Sequence, residues 1–134
     1  MWNAVIAASS QVISYLQAHE SPDTGLIPDF VQPVNIGAKT WRPADPNFIE
    51  DAQDGTFDSN ACRVPWRLGT DALLNKSATS AAQVRRITLW AKATTGADPA
   101  RFRSGYYLNG DPLPTSDYLS AFFVAPLGVA AMAT

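Results

Sequence analysis

The stretch NACRVPWRLGTDALLN, residues 60–75, sets the pattern from which the fold is predicted. Its apolar residues recur at helical spacing, at Val64, Leu68, Leu73 and Leu74. Pro65 fits a helix only in the first turn, where its missing N–H removes no intrahelical hydrogen bond. Residues 60–75 therefore predict a helix that has Pro65 near its start.

Helical patterns lie on both sides of this stretch. Residues 77–95 predict the clearest helix, with Ser80 as its N-terminal cap and Gly96 as its stop. A short helical turn is expected at 98–101 and a loop at 104–115, where Asn109-Gly110-Asp111-Pro112 has strong turn chemistry.

The two ends of the chain add one helix each. Residues 2–20 are predicted to form a helix that Ser21-Pro22 ends. A last helix is expected over 118–132, capped by Ser116 or Asp117 and kinked or interrupted near Pro126. Its apolar residues point in almost every direction, so it needs neighbours on every side. This pattern favours self-association of the chain or membership of a longer protein.

Residues 21–59 are rich in proline and glycine, which excludes a long helix there. Short extended pieces are expected near 30–31 and 39–41, within a loop whose length is itself typical of a functional segment. The predicted class is all-α, with four main helices and one long loop at 21–59.

The composition excludes several classes of function. The chain has 134 residues, 46% of them hydrophobic, and a net charge of -2, without a basic patch for nucleic acid. One cysteine, Cys62, and one histidine, His19, exclude a Cys- or His-based metal centre, and no cofactor or metal is predicted. No apolar run approaches the roughly 20 residues that span a bilayer, and the first residues lack the basic start of a signal peptide. We expect a single domain over residues 1–134, with no membrane contact.

Residues 57–74, FDSNACRVPWRLGTDALL, resemble the N-A-C-R-V-P-W-R-x-G-T-D signature of glycoside hydrolase family 8. Three further blocks resemble the family in the same order, at residues 24–30, 105–110 and 120–132. The resemblance implies an inverting endo-acting hydrolase of β-1,4-linked glycans, of the cellulase (endoglucanase), licheninase or chitosanase type. It also implies secretion or a periplasmic location, and a fold that is part of an (α/α)6 barrel, of which the chain would be the C-terminal half.

The resemblance also implies a division of catalytic roles. Inverting hydrolysis needs an acid and a base, two carboxyl groups roughly 6.5 to 9.5 Å apart. The family's general acid lies in an N-terminal segment that this chain lacks; Asp29 and Asp58 are the nearest substitutes, but we expect the acid to be absent. In the family branch with asparagine at the position of Asn60, the base is a glutamate on a long upstream loop. Glu50 is the glutamate that matches it, with Asn60 and Arg63 beside it.

Candidate sugar-binding residues complete this prediction. They are aromatic rings able to stack on pyranose faces and an acidic residue able to bind a glucosamine cation: Trp41, Trp66, Tyr106, Tyr107 and Asp58. The expected partner is a β-glucan, ranked first, or chitosan. On the hydrolase interpretation, the missing general-acid segment can leave the chain inactive on its own. The alternative is a non-catalytic carbohydrate-binding or helical interaction fragment.

Overall fold

The computed structural model describes residues 2–134. Within these residues the chain forms four α-helices and one two-stranded sheet, in the order α1 (Trp2–His19), β1 (Val31–Asn35), β2 (Thr40–Pro43), α2 (Val64–Asn75), α3 (Ala78–Thr95) and α4 (Ala121–Met132). Two short 3-10 turns, Ala61–Arg63 and Pro99–Arg101, precede α2 and follow α3. All four predicted helices are therefore present.

The prediction of an all-α class, as part of an (α/α)6 barrel, is wrong. Within the segment expected to be a long loop, the two predicted extended pieces are confirmed as strands, and they pair as an antiparallel hairpin, Val31 with Pro43 and Pro33 with Trp41. A further antiparallel bridge joins Phe57 to Tyr106. Prolines are compatible with this sheet because both strands of a two-stranded ribbon are edge strands, in which a residue without a backbone N–H need not donate a ladder hydrogen bond. The chain is thus α-helical with a small β-sheet.

The ends of α3 correct one predicted cap and confirm the predicted stop. Ser77, rather than Ser80, caps α3: its Oγ accepts a hydrogen bond from the Ser80 backbone N–H at 3.2 Å. The Ser80 hydroxyl instead donates to Asp71 Oδ2 at 2.6 Å. Gly96 ends α3 in the left-handed conformation with φ 65°, which confirms the predicted stop.

The last helix begins later than expected. Ser120 caps α4, its Oγ accepting from the Phe122 backbone N–H at 3.2 Å. Residues 118 and 119 therefore lie outside the helix, and neither Ser116 nor Asp117 caps it. Pro126 lies within α4 without interrupting it, so an interruption there is wrong, while a kink stays a prediction.

The core forms where α2 packs between α3 and α4. Apolar side chains from these helices meet others from the loops, among them Leu26, Phe57, Leu68, Val84, Ile87, Phe102 and Phe123. Helix α1 joins this core through the buried Gln17, whose Nε2 donates to the backbone carbonyls of Gly25 at 2.8 Å and Gln83 at 3.0 Å. These contacts fasten the loop that follows α1 against α3.

An apolar groove of about 670 Å³ lies between α3 and α4. Only Phe123, Pro126 and Ala130 of α4 are buried, while Phe122 is half exposed and Met132 is largely exposed. The apolar outer face predicted for this helix is confirmed. Self-association through it stays a prediction.

Candidate active site

Glu50 lies on the exposed loop that follows β2. The carboxylate of Asp54 closes this loop: Oδ2 accepts from the backbone N–H of Ile49 at 2.6 Å and of Glu50 at 3.1 Å. Oδ1 accepts from the N–H of Asp51 at 3.0 Å. The Asp54 carboxylate thus holds the backbone of Glu50, while Glu50 itself is exposed to solvent.

Asn60 lies at the start of the 3-10 turn before α2, and a second carboxylate holds this turn. Oδ1 of Asp29 accepts from the backbone N–H groups of Asp58 at 3.0 Å and Ala61 at 2.6 Å. Oδ2 accepts from the Asn60 N–H at 3.0 Å. Asp29 therefore satisfies N–H groups that the start of a helix leaves without an intrahelical partner.

The two segments meet through a hydrogen bond between side chains. The Nδ2 group of Asn60 donates to Glu50 Oε2 at 2.9 Å. Arg63, one turn later, donates from Nη2 to Asn60 Oδ1 and from Nε to the Asn60 backbone carbonyl at 3.2 Å. The three residues predicted to be catalytic thus form one chain, Glu50–Asn60–Arg63, in which Arg63 orients Asn60 and reaches Glu50 only through it.

Burial and charge change the pKa values of the carboxyl groups around Glu50, Asn60 and Arg63. Burial raises the pKa of Asp29 above its usual value, although three backbone hydrogen bonds oppose the change. Burial and the negative charges of Asp29 and Asp51 also raise the pKa of Asp58. For Asp54, burial acts in the same direction, but hydrogen bonds from the backbone N–H groups outweigh it and lower the pKa.

The predicted aromatic residues separate into two groups. Tyr107 and Trp66 are exposed at 43% and 39%, and the Arg67 guanidinium lies 4.1 Å from the centre of the Trp66 ring. Trp41, half-buried on β2, packs edge-to-face with Tyr15, with the ring centroids 5.4 Å apart, and lines a shallow cavity of about 370 Å³. These three rings have surface that a sugar could contact.

Tyr106 differs from the other predicted aromatic residues because it is 2% exposed. Its ring centroid lies 4.9 Å from that of Trp90 and 5.0 Å from that of Phe102. Its hydroxyl accepts a hydrogen bond from the Arg103 backbone N–H at 2.6 Å. The structure thus places Tyr106 in the core, apart from the exposed rings.

The sequence analysis missed the part that Asp54 plays. Asp54 was not among the predicted site residues, and Asp29 was considered only as a substitute acid. The available signal was local: an aspartate that comes three to five residues after 49–51 and directly before Gly55 can fold back to accept their N–H groups. Asp45, by contrast, is exposed and pairs with Arg42 at 2.6 Å.

Within residues 2–134, no three His, Cys, Asp or Glu side chains lie together in a way that could hold a metal ion. In the same part of the chain, no helix has both the length and the apolar character needed to cross a membrane.

Comparison with known proteins finds that this chain is similar to proteins named as glucanases. It is 37% identical over 131 residues to a beta-glucanase of Niallia circulans, a match that covers 98% of this chain and 31% of the relative. It is 30% identical over 109 residues to an endoglucanase of Bacillus sp. strain KSM-330, covering 78% of this chain and 22% of that protein. No protein-family model matches the chain.

A solved structure extends this relationship to the fold. The apo structure of a β-1,3-1,4-glucanase from Paenibacillus sp. X4 matches with a TM-score of 0.91 and 37% identity. The match covers 99% of this chain and 34% of that one. The chain thus spans about a third of the length of these two relatives, and its relationship to glucanases extends over nearly all of its own residues.

Proposed function

We propose that the chain is the base-bearing part of an endo-acting β-glucan hydrolase of glycoside hydrolase family 8, which cuts β-1,4 linkages with inversion. The observation that carries this proposal is the hydrogen-bonded chain Glu50–Asn60–Arg63 on an exposed surface. The similarity to glucanases supports the substrate class.

Glu50 has the properties that a general base requires. Glu50 is exposed to solvent, and one of its carboxylate oxygens accepts a hydrogen bond from the Asn60 side chain. A water molecule bound to the carboxylate would lose a proton to it while attacking the anomeric carbon of the sugar. Asn60 has no proton-accepting role, because an amide is too weak a base; it orients Glu50.

The second carboxyl group of the reaction is assigned to another part of a longer protein. Asp29 is a poor candidate because both of its oxygens accept backbone N–H groups. Asp58 is partly buried with a raised pKa, which suits an acid. It lies two residues before Asn60, however, on the segment that orients Glu50, whereas the acid and the base of an inverting pair lie on opposite sides of the scissile bond. The proposal therefore keeps Asp58 as a substrate-contacting residue, together with Trp41, Trp66 and Tyr107.

The preferred substrate is a neutral β-glucan rather than chitosan. Exposed aromatic rings suit neutral pyranose faces, and the names of the relatives agree with a glucan. Such polymers are too large to enter a cell, so we place the reaction outside it. The carboxyl-rich segment at 45–58 makes chitosan the alternative substrate.

The test uses a substrate that needs no acid. Dinitrophenyl β-cello-oligosides release a leaving group that departs without protonation, so turnover depends on the base alone. We expect Glu50→Gln to lower the rate by about 100-fold or more, the usual size of a general-base contribution. The release of dinitrophenolate is followed by absorbance.

Glu20→Gln provides the matched control, since Glu20 is the chain's other glutamate and lies after the end of α1. It should leave the rate unchanged. Saturable binding of cello-oligosaccharides without turnover would favour a non-catalytic binding fragment. Equal rates for Glu50→Gln and the unmodified chain would contradict the assignment of the base.

A further inference from the structure

Asp54 is a buried carboxylate inside an otherwise exposed loop. Its residue is 2% exposed, whereas its neighbours Glu50 and Asp51 are exposed. Burying a charge is unfavourable unless hydrogen bonds compensate for it. The bonds made by Asp54 therefore indicate what the buried charge does.

Those bonds converge on the backbone of Glu50 and its two neighbours. Both oxygens of Asp54 approach the Glu50 N–H, at 3.1 and 3.3 Å, while one also binds Ile49 and the other Asp51. Only an ionised carboxylate offers acceptors in all of these directions. An asparagine would turn N–H groups toward one side of this set.

The backbone of Asp54 is in turn tied to the segment that holds Asn60. The Asp54 carbonyl accepts from the Phe30 N–H at 2.9 Å, and the Thr56 carbonyl accepts from the Asp29 N–H at 2.8 Å. Asp29 then holds the N–H of Asn60 at 3.0 Å. A continuous set of hydrogen bonds therefore fixes the backbone on both sides of the contact between Glu50 and Asn60.

We propose that Asp54 is a positioning residue, whose carboxylate holds the loop so that Glu50 meets Asn60. Calling Glu50 the base rests on the proposed function. The geometric statement stands apart from it, because the contact between Glu50 and Asn60 can be observed without any substrate.

The test follows the side-chain amide of Asn60 by NMR on the full chain. Glu50→Gln gives the reference, because it replaces the carboxylate that accepts from Nδ2, and the Asn60 amide protons should move upfield. We expect Asp54→Asn to move them in the same direction by at least half as much. Asp45→Asn is the matched control, an exposed residue of the same loop, and should leave the signals in place.

Hydrogen exchange keeps the test decisive if Asp54→Asn does not fold. In the unmodified protein, the amides of Ile49, Glu50 and Asp51 should exchange at least about tenfold slower than in an unstructured chain, although the loop is exposed. Exchange of all three at the unstructured rate overturns the proposal. So does an unchanged Asn60 signal in a folded Asp54→Asn protein.

Turnover of the dinitrophenyl substrate supplies a readout that a merely structural role would not move. We expect Asp54→Asn to lower kcat on the order of 10- to 100-fold with KM nearly unchanged, because displacement of a reacting group acts on the chemical step. A change in KM alone overturns the positioning role. If Glu50→Gln leaves the rate unchanged, the proposed function fails, while the NMR result still decides whether Asp54 positions Glu50.

Discussion

Gly69 and Gly128 lie in helices that contact each other, and replacing each with alanine should have opposite effects. A Cβ on Gly69 in α2 would lie 3.0 Å from Ala130 Cα and 3.1 Å from the Val129 carbonyl oxygen, both backbone atoms of α4. A Cβ on Gly128 in α4 would meet nothing within 4 Å. The pair therefore compares a packed glycine with an open one.

The expected size of each effect follows from two opposing contributions. Alanine stabilises a helix by about 1 kcal/mol relative to glycine, since it lowers the backbone entropy of the unfolded chain. Forcing an extra methyl into a packed contact costs about 1–3 kcal/mol, and here the backbone of α4 has to move. We expect Gly69→Ala to destabilise the protein by about 1 kcal/mol and Gly128→Ala to stabilise it by about 0.5–1 kcal/mol.

Urea unfolding followed by tryptophan fluorescence measures both changes. In thermal unfolding of a chain of this length, about 1 kcal/mol corresponds to a shift in Tm of about 4 °C, so the Tm values of the two variants should differ by several degrees. The slope of unfolding against urea should stay constant. A Gly69→Ala protein as stable as Gly128→Ala would refute the close packing of α2 on α4.

Three further predictions concern single residues. Burial raises the pKa of Asp29 above 3.8, so just above that pH the folded protein binds more protons than the unfolded chain. The free energy of unfolding should therefore fall as the pH rises through this window. Asp29→Asn should remove this part of the pH dependence, as measured by urea unfolding at several pH values. Burial raises the pKa of Cys62 to about 11, so iodoacetamide should alkylate it far more slowly at pH 8 than a free cysteine; labelling at the free rate would contradict its burial. Tyr107→Ala should weaken cello-oligosaccharide binding by about 2- to 10-fold if the ring stacks on sugar, with the exposed Tyr118→Ala unchanged, as measured by fluorescence titration.

The helices were predictable because their signals are local. Apolar spacing and caps place α1 and α3 within one or two residues of their observed ends, and Gly96 stops α3 as expected. The contact between Glu50 and Asn60 was predictable only through the family resemblance. The two residues are ten positions apart along a loop, and no periodicity shows that they meet.

The remaining features depend on partners distant in the chain. The hairpin of β1 and β2 forms within a proline-rich segment, where local propensity favours loop. Tyr106 lies on a loop in the sequence, but its bridge to Phe57 carries the ring into the core beside Trp90. In the sequence, Asp54 resembles any carboxylate of an exposed loop, and its burial depends on the three-dimensional course of that loop.

Rescue of a Glu50→Ala variant by azide tests the central claim most directly. Removing the side chain leaves space in which azide can attack the anomeric carbon of the dinitrophenyl β-cello-oligoside while dinitrophenolate departs. If Glu50 is the base of an inverting hydrolase, azide should restore turnover and yield the α-glycosyl azide, identified by NMR. A Glu50→Ala protein that does not respond to azide, or that yields the β-glycosyl azide, would contradict the account.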